Sequence, residues 1–354
     1  MRRITRPVKV GKITIGGKAP VSVQSMTKTD TRDVAATVAQ IKELQSAGCE
    51  IIRCAVLDEE AARALKDIKA GIKIPLVADI HFSSKLAVLA IEAGADKIRI
   101  NPGNIGSDLK VKEIISAAKS ARVPIRIGVN AGSLEKYSGR QRHEGAAATA
   151  KKMVKKALSF IRFFEKNKFE DIVLSLKASD TLTTIEAYTR MAKECDYPFH
   201  VGVTEAGTIS GGTIKSSVGI GVLLHSGIGD TIRVSLAGDP VEEIRVGYAI
   251  LKTLKLREKG VDLIVCPTCG RCGVTLFPIA EEVERLVSGI ARPLKIAVMG
   301  CVVNGPGEAG GADFGIACGK GSGLLFKNGK ILRKVPEAGL VRELMKEINK
   351  LSKS

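Results

Sequence analysis

From Lys18 to about Leu254 one pattern of hydrophobic and polar positions recurs along the chain. A short apolar run rich in Val and Ile is followed by a polar or glycine-containing turn, and then by a stretch with helical spacing. The runs occupy residues 20–27, 50–56, 74–81, 97–102, 124–130, 172–177, 200–205 and 231–236. The helical stretches carry their apolar residues on one face. In 34–47 these are Val38, Ile41, Leu44 and Ala47, and Gly48 supplies a C-terminal stop. The stretch 86–93 ends in the same way at Gly94. Strands that alternate with helices pair in parallel through crossover connections. The pattern therefore predicts an α/β fold, a (β/α)8 TIM-like barrel over residues 1–254. A doubly wound open sheet is the alternative, and no G-x-G-x-x-G after the first run supports it.

After Leu254 the pattern changes. Apolar residues flank Asn328 and Gly329, a hairpin signal, and Leu340, Val341, Leu344, Met345 and Ile348 share one helical face. Residues 255–354 read as a small α+β domain, with a hinge near Leu251 to Val261 that carries Lys252, Lys255, Arg257 and Lys259.

A barrel places its active site at the C-terminal ends of its strands. Those ends carry Gln24, Arg53, Asp79, His81, Arg99, Asn101, Arg126, Asn130, Lys177, Glu205, Arg233 and Ser235. Each taken singly reads equally well as a cap or a barrel-end ion pair. Together, arginines and a lysine converging on one mouth repel one another unless an anion or interleaved carboxylates such as Asp79 and Glu205 relieve them. Arginine's planar fork suits a phosphate or diphosphate. Two glycine-rich segments, 101–106 and the segment 215–221 that opens with Lys215, offer backbone N–H groups of the kind that bind phosphate.

Composition narrows the partners. The net charge of +18 fits a solubilising surface, an anionic substrate or an acidic protein partner. Aromatic residues make up only 4%, with no Trp, which disfavours a stacking platform for nucleic acid. No apolar stretch reaches the length of a membrane span, and the basic N-terminus lacks an apolar secretory core. A cytoplasmic protein without membrane or nucleic-acid partners is expected. The cysteines are Cys49, Cys54, Cys195, Cys266, Cys269, Cys272, Cys301 and Cys318. In a reducing compartment, clustered cysteines point to metal binding rather than to disulfides. Cys266, Cys269 and Cys272 form a C-x-x-C-x-x-C run, with Cys301 further on. By spacing, these thiolates suit a tetrahedral zinc or an iron–sulfur cluster, and the triple run tilts toward the cluster. The competing readings are a zinc-stabilised barrel enzyme without redox chemistry and a basic RNA-binding module.

The residues around Cys266, Cys269 and Cys301, the Asn304-Gly-Pro-Gly-Glu308 run, and the barrel segments 23–27, 78–82, 98–106, 204–207 and 215–221 closely resemble the 4-hydroxy-3-methylbut-2-enyl diphosphate synthases of isoprenoid biosynthesis, over essentially the whole chain. The resemblance implies a [4Fe-4S] cluster held by Cys266, Cys269, Cys301 and Glu308. Cys272 is then released from the ligand role that spacing suggests, and Cys272 and Cys318 remain alternative fourth ligands. A carboxylate is harder than a thiolate, so one iron could exchange Glu308 for a substrate oxygen. Cys49, Cys54 and Cys195 read as packing residues. The implied substrate is 2-C-methyl-D-erythritol 2,4-cyclodiphosphate, opened and dehydroxylated with two electrons. Arg53, Arg99, Arg126 and Lys177 are expected to hold the diphosphate, with Asn130, Ser235 and Lys215 as further donors. Glu205 is the expected acid–base group and His81 the reserve. His143 and His200 read as surface or structural. The resemblance further implies a homodimer in which one subunit's cluster domain caps the other's barrel, and a reduced flavodoxin or ferredoxin as electron donor.

Overall fold

A computed structural model of the chain describes residues 2–134, 145–270, 272–290, 292–301 and 309–351. The chain divides into two compact units, Met1–Arg257 and Glu258–Ser354.

The first unit opens with a short hairpin, β1 (Val8–Val10) and β2 (Ile13–Ile15). Eight βα repeats follow: β3 (Ser22–Met26), α1 (Val34–Ala47), β4 (Ile51–Ala55), α2 (Glu59–Gly71), β5 (Leu76–Asp79), α3 (Ser84–Glu92), β6 (Lys97–Ile100), α4 (Asp108–Ala121), β7 (Ile125–Asn130), α5 (Ala146–Lys166), β8 (Ile172–Lys177), α6 (Thr181–Met191), β9 (His200–Val201), α7 (Ile209–His225), β10 (Thr231–Ile232) and α8 (Pro240–Thr253). The sheet order is β8-β7-β6-β5-β4-β3-β10-β9, all parallel. A parallel bridge between Leu174 and Phe199 joins β8 to β9 and closes the ring. The expected TIM-like barrel is thus the observed fold.

The βα turns hand the chain from strand to helix with caps. Asp33, Asp58, Ser83, Ser107, Asp180 and Asp239 each accept a hydrogen bond from a backbone N–H in the first turn of the following helix. Gly48, at φ 110°, ends α1 in the left-handed conformation.

Strand alternation divides the barrel's side chains. Ile52, Cys54, Ile98, Ile100, Ile125, Ile127, Leu174 and Leu176 point outward into the main apolar core under the helices. Their neighbours in sequence point to the barrel axis. At the N-terminal end these are Ile51, Val77 and Val173, which pack against Val8, Val10 and Ile15 of the β1–β2 hairpin. The hairpin plugs that end with apolar contacts. Higher up, the axis-facing residues are polar: Gln24, Arg53, Asp79, Lys97, Arg99 and Arg126 are all buried.

The second unit is a five-stranded sheet in the order β11-β12-β13-β14-β15 (Val261–Val265, Leu294–Met299, Phe314–Ala317, Ser322–Lys327, Lys330–Pro336). The first three strands are parallel and the last two antiparallel additions. The hairpin foreseen at Asn328 and Gly329 joins β14 to β15, and both turn residues have positive φ. Helices α9 (Leu276–Val287) and α10 (Leu340–Lys350) cover one face through Leu276, Val283, Leu340, Leu344 and Ile348.

Candidate active site

Asp79 is the hub of the barrel mouth. Its carboxylate lies 3.0 Å from Arg99 Nη1, 3.6 Å from Arg53 Nε and 3.5 Å from His81 Nε2. The pairing follows from register: Arg53 lies on β4 two residues before Ala55, which stands across from Asp79, and Asp79 stands directly across from Arg99 on β6. Burial alone would raise the Asp79 carboxyl. Arg53, the His81 hydrogen bond, Arg99 and Arg126 outweigh it and hold the group well below the usual carboxylate range. Arg53 is pulled down to about 10 by burial first, against which Asp79 acts, and then by Arg233 and Arg99. Its guanidinium also lies on Met26, with Nη2 at 2.8 Å from the sulfur.

Arg126 and Lys177 complete the cationic ring. Burial, followed by Arg53 and Arg99, lowers Arg126, and burial, followed by Arg126 and Arg233, lowers Lys177. Two inward glycines make room for this crowding. A Cβ on Gly128 would lie 2.9 Å from Arg99 Nε, and one on Gly202 would lie 2.9 Å from Lys177 Nζ and 2.3 Å from the Arg233 carbonyl. Arg233 is anchored from outside the ring by Glu243 of α8, 3.3 Å away, which also accepts from Ser25 Oγ and Leu236 N. Sequence reasoning missed Glu243 because it sits on a helix rather than at a strand end.

The other expected residues divide. Asn130 ends β7 across from Lys177, and Ser235 lies just past β10, both half-buried. Glu205 is exposed, has φ 52° and makes no hydrogen bond with the described residues. Asn101 is buried and already engaged: it donates to Ser133 Oγ at 3.0 Å and accepts from Gly103 N at 3.2 Å. The segment 101–106 is a 3-10 turn whose N–H groups at Gly103, Asn104 and Ile105 are bonded within it. One expectation is corrected. The segment 215–221 is not a phosphate loop but the interior of α7, where N–H groups serve the helix, and Lys215 stands exposed on that helix. His200 is also corrected in part: it is no surface residue but is fully buried on β9. His143 lies outside the described residues.

In the second unit, Cys266 follows β11 and Cys301 follows β12 by two residues. These strands pair in parallel, so both cysteines stand beyond their C-terminal ends, at the same end of the sheet. Cys269 is exposed, and Cys266 and Cys301 are half-buried. Cys318 is different: it is fully buried in the apolar cluster, and burial, with Cys272 next, pushes its thiol up to about 12. The Cys272 sulfur donates to the Val274 carbonyl at 3.2 Å and is pressed on Gly300, where a Cβ would come within 2.7 Å of it. A thiol kept protonated in a core, as that of Cys318 is, makes a poor ligand. The donor chemistry at this end of the sheet suits a metal–sulfur group through Cys266, Cys269 and Cys301. Glu308 lies outside the described residues, and no group of three or more donors in metal-holding geometry occurs among those described.

Comparison with known proteins agrees with both units. The GcpE TIM-barrel domain matches residues 5–248 and the GcpE protein C-terminal domain matches 262–350. A 4-hydroxy-3-methylbut-2-en-1-yl diphosphate synthase (flavodoxin) from Geobacter sulfurreducens is 56% identical over 351 residues, covering 99% of each chain. The enzyme of that name from Caldanaerobacter subterraneus is 57% identical and covers 100% of this chain and 99% of its own. Among solved structures, dihydropteroate synthase from Stenotrophomonas maltophilia matches 71% of this chain and 97% of its own, with a TM-score of 0.54 at 13% identity, a likeness of fold. The two matched domains and the full-length relatives show that the chain belongs to the 4-hydroxy-3-methylbut-2-en-1-yl diphosphate synthase (flavodoxin) family.

Proposed function

We propose that the chain catalyses the reductive ring opening and dehydroxylation of 2-C-methyl-D-erythritol 2,4-cyclodiphosphate to 4-hydroxy-3-methylbut-2-enyl diphosphate, with flavodoxin as the electron donor, ferredoxin being the alternative, and with the chain working as a homodimer. Beyond family membership, one observation carries this reading: buried Arg53, Arg99 and Arg126, with half-buried Lys177, form a ring that opens at the barrel mouth with Asp79 as its central carboxylate. Such a ring is a site for a compact polyanion.

In this reading the three arginines and Lys177 hold the diphosphate, and Asn130 and Ser235 add neutral donors. Asp79 does not compete for the anion; it fixes the Arg53 and Arg99 forks before the substrate arrives, so that little reorganisation is left for the binding step. Glu205 is the proton donor toward the leaving oxygen in its protonated form, and its side chain, without a hydrogen bond to the described residues, suits that role. His81, already directed at Asp79, is the reserve.

Cys266, Cys269 and Cys301, with Glu308 as fourth ligand, would hold a [4Fe-4S] cluster, which when bound supplies the two electrons singly. Cys272 and Cys318 are left out because one sulfur is turned into Gly300 and the other is sealed in the core.

The experiment is an anaerobic assay of the full-length protein with the cyclic diphosphate and a chemical reductant, following product by phosphorus NMR. Product formation that scales with bound iron supports the reading. Iron-loaded protein that leaves the ring intact sinks it. Glu308→Ala should retain substrate binding but lose most turnover, and wild-type turnover would remove Glu308 from the ligand set.

A further inference from the structure

Beneath the arginine ring lies a second polar layer that the proposed chemistry does not use. Lys97 begins β6 two residues before Arg99, so both face the axis. His200 on β9 pairs with Thr231, which pairs with Ser22 on β3, placing Ser22 and His200 in one row across the strands. Lys97 and His200 are 0% exposed. Lys97 Nζ, both ring nitrogens of His200, Nε and Nη1 of Arg126, Ser22 Oγ and both amide atoms of Gln24 are buried without a protein hydrogen-bond partner.

The titratable groups turned to this interior come from every strand but one. They are Arg53 on β4, Asp79 on β5, Arg99 on β6, Arg126 on β7, Lys177 on β8, His200 on β9 and Arg233 just past β10. Strand β3 contributes only neutral groups, and α8 contributes Glu243. The two carboxylates are taken: Asp79 by Arg53, Arg99 and His81, and Glu243 by Arg233 and Lys28. Lys97 therefore has no counter-charge among the described residues, and its charged neighbours Arg126 and Arg53 are of like sign.

We propose that Lys97 is a binding-linked proton carrier: a neutral amine while the mouth is empty, it takes one proton from solvent and becomes an ammonium when a diphosphate settles on the arginines above it. The proposal rests on the reading that the mouth binds a diphosphate. An isolated buried ammonium is too costly to persist, so burial, then Arg126 and Arg53, drive Lys97 well below its ordinary value. A dianion on the same arginines cancels the repulsion and reverses that drive. His200 is lowered too, by burial first and then by Lys177, Arg126 and Lys97. It starts about four units lower than a lysine, so it stays neutral in both states. Lys177 is lowered as well, by burial and then by Arg126 and Arg233, so variants at Lys97 are what separate the two lysines.

The sign follows from linkage. A group that gains a proton on binding makes affinity fall as pH rises between its free and bound values, by up to about tenfold per unit. The cyclic diphosphate is the right probe, because each phosphorus bears one strongly acidic oxygen and the ligand does not itself titrate near neutrality. Titration calorimetry of the full-length protein without reductant, in buffers of different ionisation enthalpy at about pH 8, counts the protons. Uptake of about one proton per ligand is expected for wild type. For Lys97→Met and Lys97→Gln it should fall to near zero with binding retained. Binding without uptake in wild type overturns the carrier and leaves the mouth reading intact. Uptake that persists in both variants overturns it as well, by placing the proton elsewhere. No binding by wild type overturns both. Should the variants fail to fold, the wild-type affinity measured against pH decides alone: a flat profile rejects the proposal and a falling one supports it.

Discussion

Replacing Asp79 by Asn tests the logic of the barrel mouth most directly. The carboxylate sits 3.0 Å from Arg99 and 3.6 Å from Arg53, and all three side chains are almost wholly buried. With an effective dielectric of about 20, each such pair is worth about 5 kcal/mol of attraction, set against the cost of removing three charges from water. The variant keeps the shape and loses the charge, leaving two guanidinium groups buried beside Arg126 without compensation. Breaking a buried pair in this way costs about 3–5 kcal/mol, which in a unit of this size lowers Tm by about 10 °C. The Asp79 carboxyl is depressed in the folded protein. Its stabilisation is therefore fully present above the unfolded value near 4 and is lost as pH falls through the folded value. Thermal unfolding of wild type and Asp79→Asn from about pH 3 to pH 8 should show a wide gap at neutrality that narrows on acidification. Saturating cyclic diphosphate should also narrow it, since the ligand restores negative charge to the same arginines. A gap below about 1 kcal/mol at pH 7, or one that does not change with pH, would refute the assignment of Asp79 as the hub.

Three further outcomes are expected. Gly202→Ala forces a Cβ to within 2.3 Å of the Arg233 carbonyl and 2.9 Å of Lys177 Nζ; it should destabilise by about 2 kcal/mol and weaken cyclic diphosphate binding at least about tenfold, and unchanged calorimetric affinity would contradict the crowding argument. Cys272→Ser should retain iron and acid-labile sulfide whereas Cys301→Ser should lose most of both, and the reverse pattern in anaerobic iron analysis would return Cys272 to the ligand set. Asp180→Ala removes the cap that Thr183 N and Oγ1 share, and should cost about 1 kcal/mol in urea unfolding without altering iron content; a neutral result would show that the cap contributes nothing.

The barrel was legible because its signal is local and repeated. Each run of Val and Ile became a strand at the expected place, and Gly48 stopped α1 as its position implied. Three things were hidden for three different reasons. The hairpin Val8–Val10 and Ile13–Ile15 has strands of three residues, too short to show a period. The glycines of α7 imitate a loop, yet they serve close packing: a Cβ on Gly212 would lie 2.7 Å from Leu236, and one on Gly219 2.7 Å from Val203. Lys97 and His200 belong to recognised strands, but attention to the strand ends passes over residues nearer the beginning. The alternation that turns Arg99 inward turns Lys97 inward as well, so that signal was available in the sequence.

The position of the apolar core explains how such a cationic interior is tolerated. The large cluster lies between strands and helices, and a small one lies where the hairpin closes the barrel's N-terminal end. Between plug and mouth, the axis is freed from its usual duty of apolar packing. Stability is carried outside the ring of strands, and the space within can hold charges arranged for an anion. Without a ligand those charges repel, so the interior is stressed, and an anion that enters both fills the mouth and relieves the stress. At one fixed ligand concentration, binding should therefore raise the barrel's resistance to unfolding by more in wild type than in a variant with Arg126 replaced by Met, because relief of the stress is part of the wild-type affinity. The gain at each concentration follows the ratio of ligand concentration to Kd, so equal gains in the two proteins would mean that the Arg126 charge takes no part in binding.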